Sequence, residues 1–112
     1  MTIYKTGDVI VVPFFFTDNS KAKPRPAVII STPAFNGSHD QVIAFMITTA
    51  ARTQWASDIP IKHVGDCGLR IASSVRMKCF TLDTRLIKKH IGRMHKSDWT
   101  SVKNKLHHVI AL

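Results

Sequence analysis

The chain has 112 residues, a length typical of one domain spanning 1–112, and its 45% hydrophobic content predicts a packed core and excludes wholesale disorder. No apolar run approaches the ~20 residues that a membrane helix needs, and no secretory signal is recognisable, so we expect a cytoplasmic protein. Sixteen Lys and Arg residues against seven Asp and no Glu give a formal net charge of +9, which favours nucleic acid or an acidic protein as a partner over a membrane surface.

Short β-branched and aromatic segments separated by turn residues make up most of the chain. The first, residues 8–16, is continuously apolar, so we expect a strand with both faces covered. A turn at 17–20 and a basic loop at 21–24 follow, and a second strand is predicted at 27–31. Residues 32–40 contain proline and an Asn-Gly pair, which predicts a loop with room for one helical turn.

The middle of the chain continues this pattern of short strands and loops. Further strands are predicted at 41–48, 58–62, 69–77 and 86–94. An exposed loop containing Trp55 is predicted at 49–57, and a turn at 64–68.

The last segment differs because its apolar residues recur at helical spacing, at Trp99, Val102, Leu106 and Val109. Ser97 stands where an N-cap belongs and Asp98 lies in the first turn, which predicts a helix over 97–110. Short strands followed by one helix predict a mainly β fold, a small bent sheet or barrel with a C-terminal helix.

Five motifs stand in order along the chain. A Gly-Asp opens the first strand (within 7–14), an Arg-Pro opens the second (within 23–31), and an Ile-Thr-Thr closes the third (within 45–49). A Phe-Thr-Leu-Asp follows within 74–83, and a last strand precedes the helix at 86–94. Each motif is weak alone, but their order and spacing resemble the MazF/PemK family of type II toxins over nearly the whole chain.

The resemblance implies a small SH3-like β-barrel of the MazF/CcdB type that acts as a homodimer. It also implies a metal-independent endoribonuclease without a cofactor, which cuts single-stranded mRNA at short sequence motifs and is blocked by an acidic cognate antitoxin. The family's catalytic pair falls on Arg25 and Thr48.

The chemistry of RNA cleavage suits these two side chains. The neighbouring 2′-OH can act as the nucleophile, which gives a 2′,3′-cyclic phosphate and a 5′-OH. A planar guanidinium contacts two phosphoryl oxygens at once, and the prolines flanking Arg25 restrain its backbone. Thr48 can donate a hydroxyl to phosphate or orient the 2′-OH. Arginine is a poor general base, so the sequence leaves the base unidentified.

Basic, polar and aromatic residues near this pair are candidate RNA contacts. Lysines contact phosphates, a glutamine can read a base edge, and an aromatic ring can stack on a base. The candidates are Lys21, Lys23, Arg52, Gln54, Trp55, Lys78 and Phe80. For Trp55 the alternative is a ring that covers an edge of the core.

Histidine and cysteine offer little further chemistry in this sequence. His39 and His63 lie in or beside predicted loops and are weak candidates for a groove, and the six histidines show no spacing typical of a metal site. Cys67 and Cys79 are expected to be free thiols.

Three other functions remain open from the sequence. A CcdB-like protein has the same fold but poisons gyrase without catalysis, through tryptophan-containing residues at the end of the chain, whereas the last tryptophan here is Trp99. A family member that only binds RNA or an antitoxin is the second alternative. A basic structural domain is the third, and the ordered motifs weigh against it.

Overall fold

The computed structural model describes residues 3–15, 22–49 and 54–111, and the strands within them form one curled antiparallel sheet in the order β4-β5-β3-β2-β1-β6. The strands are β1 (Asp8–Phe15), β2 (Ala22–Ile29), β3 (Gln41–Thr49), β4 (Ile59–Pro60), β5 (Ser73–Asp83) and β6 (Lys89–Arg93). The helices are α1 (Pro33–His39) and α2 (Lys96–Val109), with a 3-10 turn at Thr84–Leu86. The mainly β fold with a C-terminal helix is confirmed. Neither α1 nor α2 is long and apolar enough to cross a membrane.

Strand β1 is covered on both faces, as its continuous apolar sequence predicts. Val9 is fully buried in a cluster that includes Phe45 of β3 and Val102 of α2. Its neighbours Ile10 and Val12 point the other way, into a second cluster with buried residues of β2 and β3, namely Ala27, Ile29, Val42 and Ala44. The second face matters for function because it continues into the pocket described below.

A buried carboxylate joins helix α2 to the segment that follows β4. Asp98 is only 2% exposed, and it accepts hydrogen bonds from the backbone N–H groups of Lys62 (3.0 Å) and His63 (2.9 Å). The helix lies within one residue of the predicted bounds, but the predicted cap is wrong. His95 is the N-cap, because its Nδ1 accepts a hydrogen bond from the N–H of Ser97 at 3.1 Å.

The prediction of a loop over 32–40 is wrong in its extent, since residues Pro33–His39 form α1. The side chain of Thr32 caps this helix by accepting a hydrogen bond from the N–H of Phe35, and Pro33 suits the first turn. Asn36 is buried and bonded to the Ser31 hydroxyl and to the carbonyl of Tyr4. Tertiary contacts therefore override the turn-forming Asn-Gly sequence.

Several strand ends differ from the predictions because pairing with a neighbour extends or shortens them. Strand β2 begins at Ala22, within the predicted basic loop, since it pairs with β1 as far as the Phe15–Ala22 pair. Strand β5 runs from Ser73 to Asp83 rather than over 69–77, because β3 pairs with it along this length. The predicted strands at 58–62 and 86–94 are shortened to β4 and β6. The predicted turn at 17–20 lies outside the described residues, as do residues 50–53 of the predicted loop.

We expect Asp98→Ala to lower the free energy of unfolding by roughly 1–3 kcal/mol, because it removes the buried acceptor of two partly buried N–H groups. Urea unfolding at neutral pH measures this change. Asp66→Ala is the matched control, since Asp66 is exposed and should cost less than about 0.5 kcal/mol. Equal losses in the two variants would contradict the role given to Asp98.

Low pH should also weaken the hydrogen bonds that Asp98 accepts from Lys62 and His63, and with them the stability of the protein. Burial alone raises the pKa of Asp98, but the N–H donors of Lys62 and His63 outweigh it and hold the pKa below the ordinary 3.8. The stabilisation is therefore complete above the ordinary value and is lost as the pH falls through the lower pKa of the folded state. Urea midpoints measured down to acidic pH should fall more steeply below about pH 4 in the wild type than in Asp98→Asn. Parallel curves would contradict this assignment.

Candidate functional site

The register between β2 and β3 brings Arg25 and Thr48 together. Ala27 pairs with Met46, and extending this register by two residues sets Arg25 level with Thr48. Both side chains are half-buried, and both line a pocket of about 240 Å³ beside the middle of β2 and the end of β3. Pro24 and Pro26 flank Arg25 inside β2, so its backbone is extended and restrained where the side chain enters the pocket.

An irregularity in β5 supplies two more cations to this pocket. Between the Phe45–Cys79 and Ile47–Val75 pairs, β3 advances by two residues while β5 covers four. Such a bulge re-aims the side chains that it contains. Arg76, inside this stretch, lines the pocket together with Lys78.

One aromatic ring lines the pocket next to these cations, and a second ring packs behind it. Phe14 of β1 lines the pocket, and its ring meets that of Phe80 edge-on with centroids 6.2 Å apart. The ammonium group of Lys78 lies 5.0 Å from the centroid of Phe14, within cation–π range. The pocket thus combines guanidinium, ammonium, hydroxyl and aromatic groups, which suits a ligand that carries both phosphates and flat rings.

Trp55 lies at the margin of the pocket rather than in its lining. Trp55 is 44% exposed, so a large part of the residue is open to a ligand. The guanidinium carbon of Arg76 lies 4.8 Å from the centroid of the Trp55 ring. Arg76 also donates to Asp58 through Nε (3.1 Å) and Nη2 (2.9 Å). These bonds hold the pKa of Asp58 below its ordinary value and raise that of Arg76.

The structure groups part of the predicted site. Arg25, Thr48 and Lys78 share the pocket, while Phe80 reaches it through Phe14 and Trp55 reaches it through Arg76. Exposed Lys23 pairs in register with Phe14, and exposed Gln54 precedes Trp55 in the chain, although neither lines the pocket. The predicted contacts Lys21 and Arg52 lie outside the described residues.

The sequence did not single out Arg76, Asp58 or Phe14 as functional residues. Arg76 stands in a predicted strand, where an isolated cation reads as part of a solvated face. Its carboxylate partner is 18 residues away, so local spacing gives no signal of the pair.

The two histidines considered from the sequence lie elsewhere. His39 packs against Phe35 with ring centroids 4.6 Å apart. His63 contacts Asp98 and stacks on His95 with centroids 3.8 Å apart. Among the described residues, the lining of the pocket contains no histidine.

The fold is shared with solved toxins. The chain superposes with a TM-score of 0.76 on MazF from Deinococcus radiodurans, at 18% identity and with 97% of each chain covered. A MazE–MazF structure from the same organism gives 0.76 at 19% identity, with 96% of each chain covered. An endoribonuclease in complex with its cognate antitoxin from mycobacterial species gives 0.76 at 16% identity, covering 96% of this chain and 93% of that one.

Sequence comparison gives two results of different reach. No curated protein is significantly similar to the chain. Residues 5–110, however, match the family model of PemK-like, MazF-like toxins of type II toxin–antitoxin systems, and since this match covers nearly the whole chain, the protein belongs to that family.

Proposed function

We propose that residues 1–112 form a single toxin domain that acts as a metal-independent endoribonuclease on single-stranded mRNA, cutting at short sequence motifs. The observation that carries this proposal is the shared pocket of Arg25 and Thr48, the two residues implied by the family resemblance. Family membership supports the same activity, because endoribonucleases are typical of MazF-like toxins.

The proposed reaction needs a nucleophile that the RNA itself carries. The 2′-hydroxyl loses its proton and its oxygen attacks the adjacent phosphorus. The bond from phosphorus to the 5′ oxygen breaks, and that oxygen takes up a proton. The products are a 2′,3′-cyclic phosphate and a 5′-OH end, without consumption of water in this step.

Arg25 is assigned to the negative charge that gathers on the phosphoryl oxygens in the transition state. A guanidinium offers two parallel N–H donors to these oxygens, and it stays charged throughout the reaction. Thr48 is assigned to a hydroxyl hydrogen bond with the phosphate or the 2′-OH. Arg25 is paired with Val12 of β1 and Thr48 with Ser74 of β5, so little ordering of their backbone is needed when RNA binds.

The remaining contacts hold the RNA strand. Lys23 and Lys78 are assigned to phosphates, Gln54 to a base edge, and Phe80 and Trp55 to base faces. Lys21 and Arg52 remain predicted phosphate contacts. The net charge of +9 supports this division, since cations that neutralise phosphates dominate affinity for nucleic acids.

We extend the proposal to protein partners. Two of the solved relatives are a MazE–MazF structure and an endoribonuclease in complex with its cognate antitoxin. An acidic antitoxin suits this strongly basic chain, and one that covered the cationic pocket would exclude RNA from it. A homodimer and a cytoplasmic location complete the proposal.

A cleavage assay tests the catalytic assignment. With EDTA present, the wild-type protein should cut a long single-stranded RNA at discrete sites, leaving cyclic phosphate and 5′-OH ends. Arg25→Ala should slow cleavage by about 10²–10³-fold or more, because it removes a charged donor to the transition state. Arg85→Ala is the matched control, since Arg85 is an exposed arginine outside the pocket, and it should cleave at the wild-type rate.

The outcomes separate the alternatives. Full activity in Arg25→Ala would contradict the catalytic role of this residue, and 3′-OH ends would contradict attack by the 2′-OH. Absence of cleavage by the wild-type protein would contradict the enzyme and favour a gyrase poison or a relative that only binds RNA or antitoxin.

A further inference from the structure

We infer that Asp58 and Arg76 hold Trp55 as a stacking platform for one nucleobase of the bound strand, beside the pocket of Arg25 and Thr48. This inference rests on the proposed function for its ligand, single-stranded RNA. It adds two positioning residues, Asp58 and Arg76, that neither the sequence motifs nor the family resemblance single out.

The Asp58 carboxylate connects the backbone of Trp55 with the side chain of Arg76. Oδ2 of Asp58 accepts hydrogen bonds from the backbone N–H of Trp55 (3.0 Å) and from Nη2 of Arg76 (2.9 Å). The N–H of Asp58 returns a bond to the carbonyl of Trp55, also at 3.0 Å. The turn that carries the tryptophan is therefore closed on itself and bonded to β5.

Arg76 also fixes the position of the ring. Its guanidinium lies over the indole, and its two bonds to Asp58 determine how the guanidinium plane is turned. The side chains of Asp58 and Arg76 are only 8% and 15% exposed, whereas Trp55 is 44% exposed. The cluster thus consists of a buried ion pair that supports an exposed aromatic ring.

Such a ring is ready for a base without prior ordering. A flexible exposed tryptophan loses side-chain freedom when a ligand stacks on it, and this loss reduces affinity. Here the loss has already occurred during folding. A base that stacks on the exposed part of Trp55 gains the full contact, worth roughly fivefold to a hundredfold in affinity.

The position of the cluster connects it to the reaction. Arg76 lines the same pocket as Arg25 and Thr48, so Trp55 is separated from that pocket by a single side chain. A base on Trp55 therefore belongs to a nucleotide close to the cut. Stacking accepts every base, because each base has a flat face, so this contact holds the strand without reading its sequence.

The test compares strands with and without bases. The full chain is titrated with fluorescent nine-nucleotide strands of 2′-O-methyl oligoadenylate and of the corresponding abasic ribose phosphate, which lack the attacking hydroxyl. The wild-type protein should bind the oligoadenylate more tightly, and Trp55→Ala should reduce this preference by about fivefold or more. Arg76→Lys keeps the positive charge but loses the paired bonds, so it should reduce the preference similarly while leaving the abasic affinity nearly unchanged.

The double variant Trp55→Ala/Arg76→Lys should lose no more of the preference than Trp55→Ala alone, because both changes act through one platform. Asp58→Asn should also reduce the preference for the oligoadenylate, because it weakens the bonds to Arg76. Arg85→Lys is the control, since it alters an Asp–Arg pair of the same geometry (3.1 and 3.0 Å to Asp83) outside the pocket. It should keep the wild-type preference.

An unchanged preference in Trp55→Ala would overturn the inference. Equal weakening of both strands by Arg76→Lys would also overturn it, since that result makes Arg76 a phosphate contact. These outcomes leave the proposed ribonuclease intact if the cleavage assay succeeds. Failure of the wild-type protein to bind either strand at low salt would contradict RNA as the ligand and with it both proposals.

Discussion

The pairing of β2 with β3 is the constraint on which the site depends. Val28 faces Phe45 across the two strands, both fully or almost fully buried, while the neighbouring Ala27 is buried on the opposite face. A slip of one residue would send every side chain of the strand to the other face, which would place Arg25 among apolar residues. Packing of both faces of the sheet therefore sets the position of Arg25 against Thr48, and the chemistry proposed for them follows from the burial of their neighbours.

The segment that carries Trp55 is held at both ends. At one end Asp58 is bonded to Arg76 of β5, and at the other Lys62 and His63 are bonded to Asp98 of α2. Between these points β4 pairs with β5. The sheet, the pocket margin and the C-terminal helix are thus connected by two carboxylates. Both carboxylates have a pKa below the ordinary value, because hydrogen-bond donors stabilise their anionic form.

What the sequence predicts well is set by local composition and period. The continuous apolar run of β1 and the helical spacing of α2 are strong signals, and both elements appear nearly where predicted. The length of β5 and the start of β2 depend on partners distant in the chain, so no local pattern indicates them. Helix α1 depends on a cap and on the buried side chain of Asn36, which sequence periodicity does not register.

The residues of the candidate site also fall into those that the sequence indicates and those that only the folded structure brings together. Arg25 and Thr48 came from the order of family motifs, because an Arg-Pro or an Ile-Thr alone indicates nothing. Arg76 lines the pocket because of the irregularity in β5, and its carboxylate partner, Asp58, lies directly before β4. Both features depend on strand pairing, so they exist only after folding. Lys21 and Arg52 remain predictions from the sequence alone.

RNA is proposed to bind over the pocket of Arg25 and Thr48. The most direct measurement is a map of amide and indole chemical shifts in the ¹⁵N-labelled protein titrated with an uncleavable 2′-O-methyl strand. The largest changes are expected at Arg25, Thr48, Arg76 and the indole N–H of Trp55. Changes concentrated instead on β6 or on the end of α2, with the pocket unaffected, would contradict it.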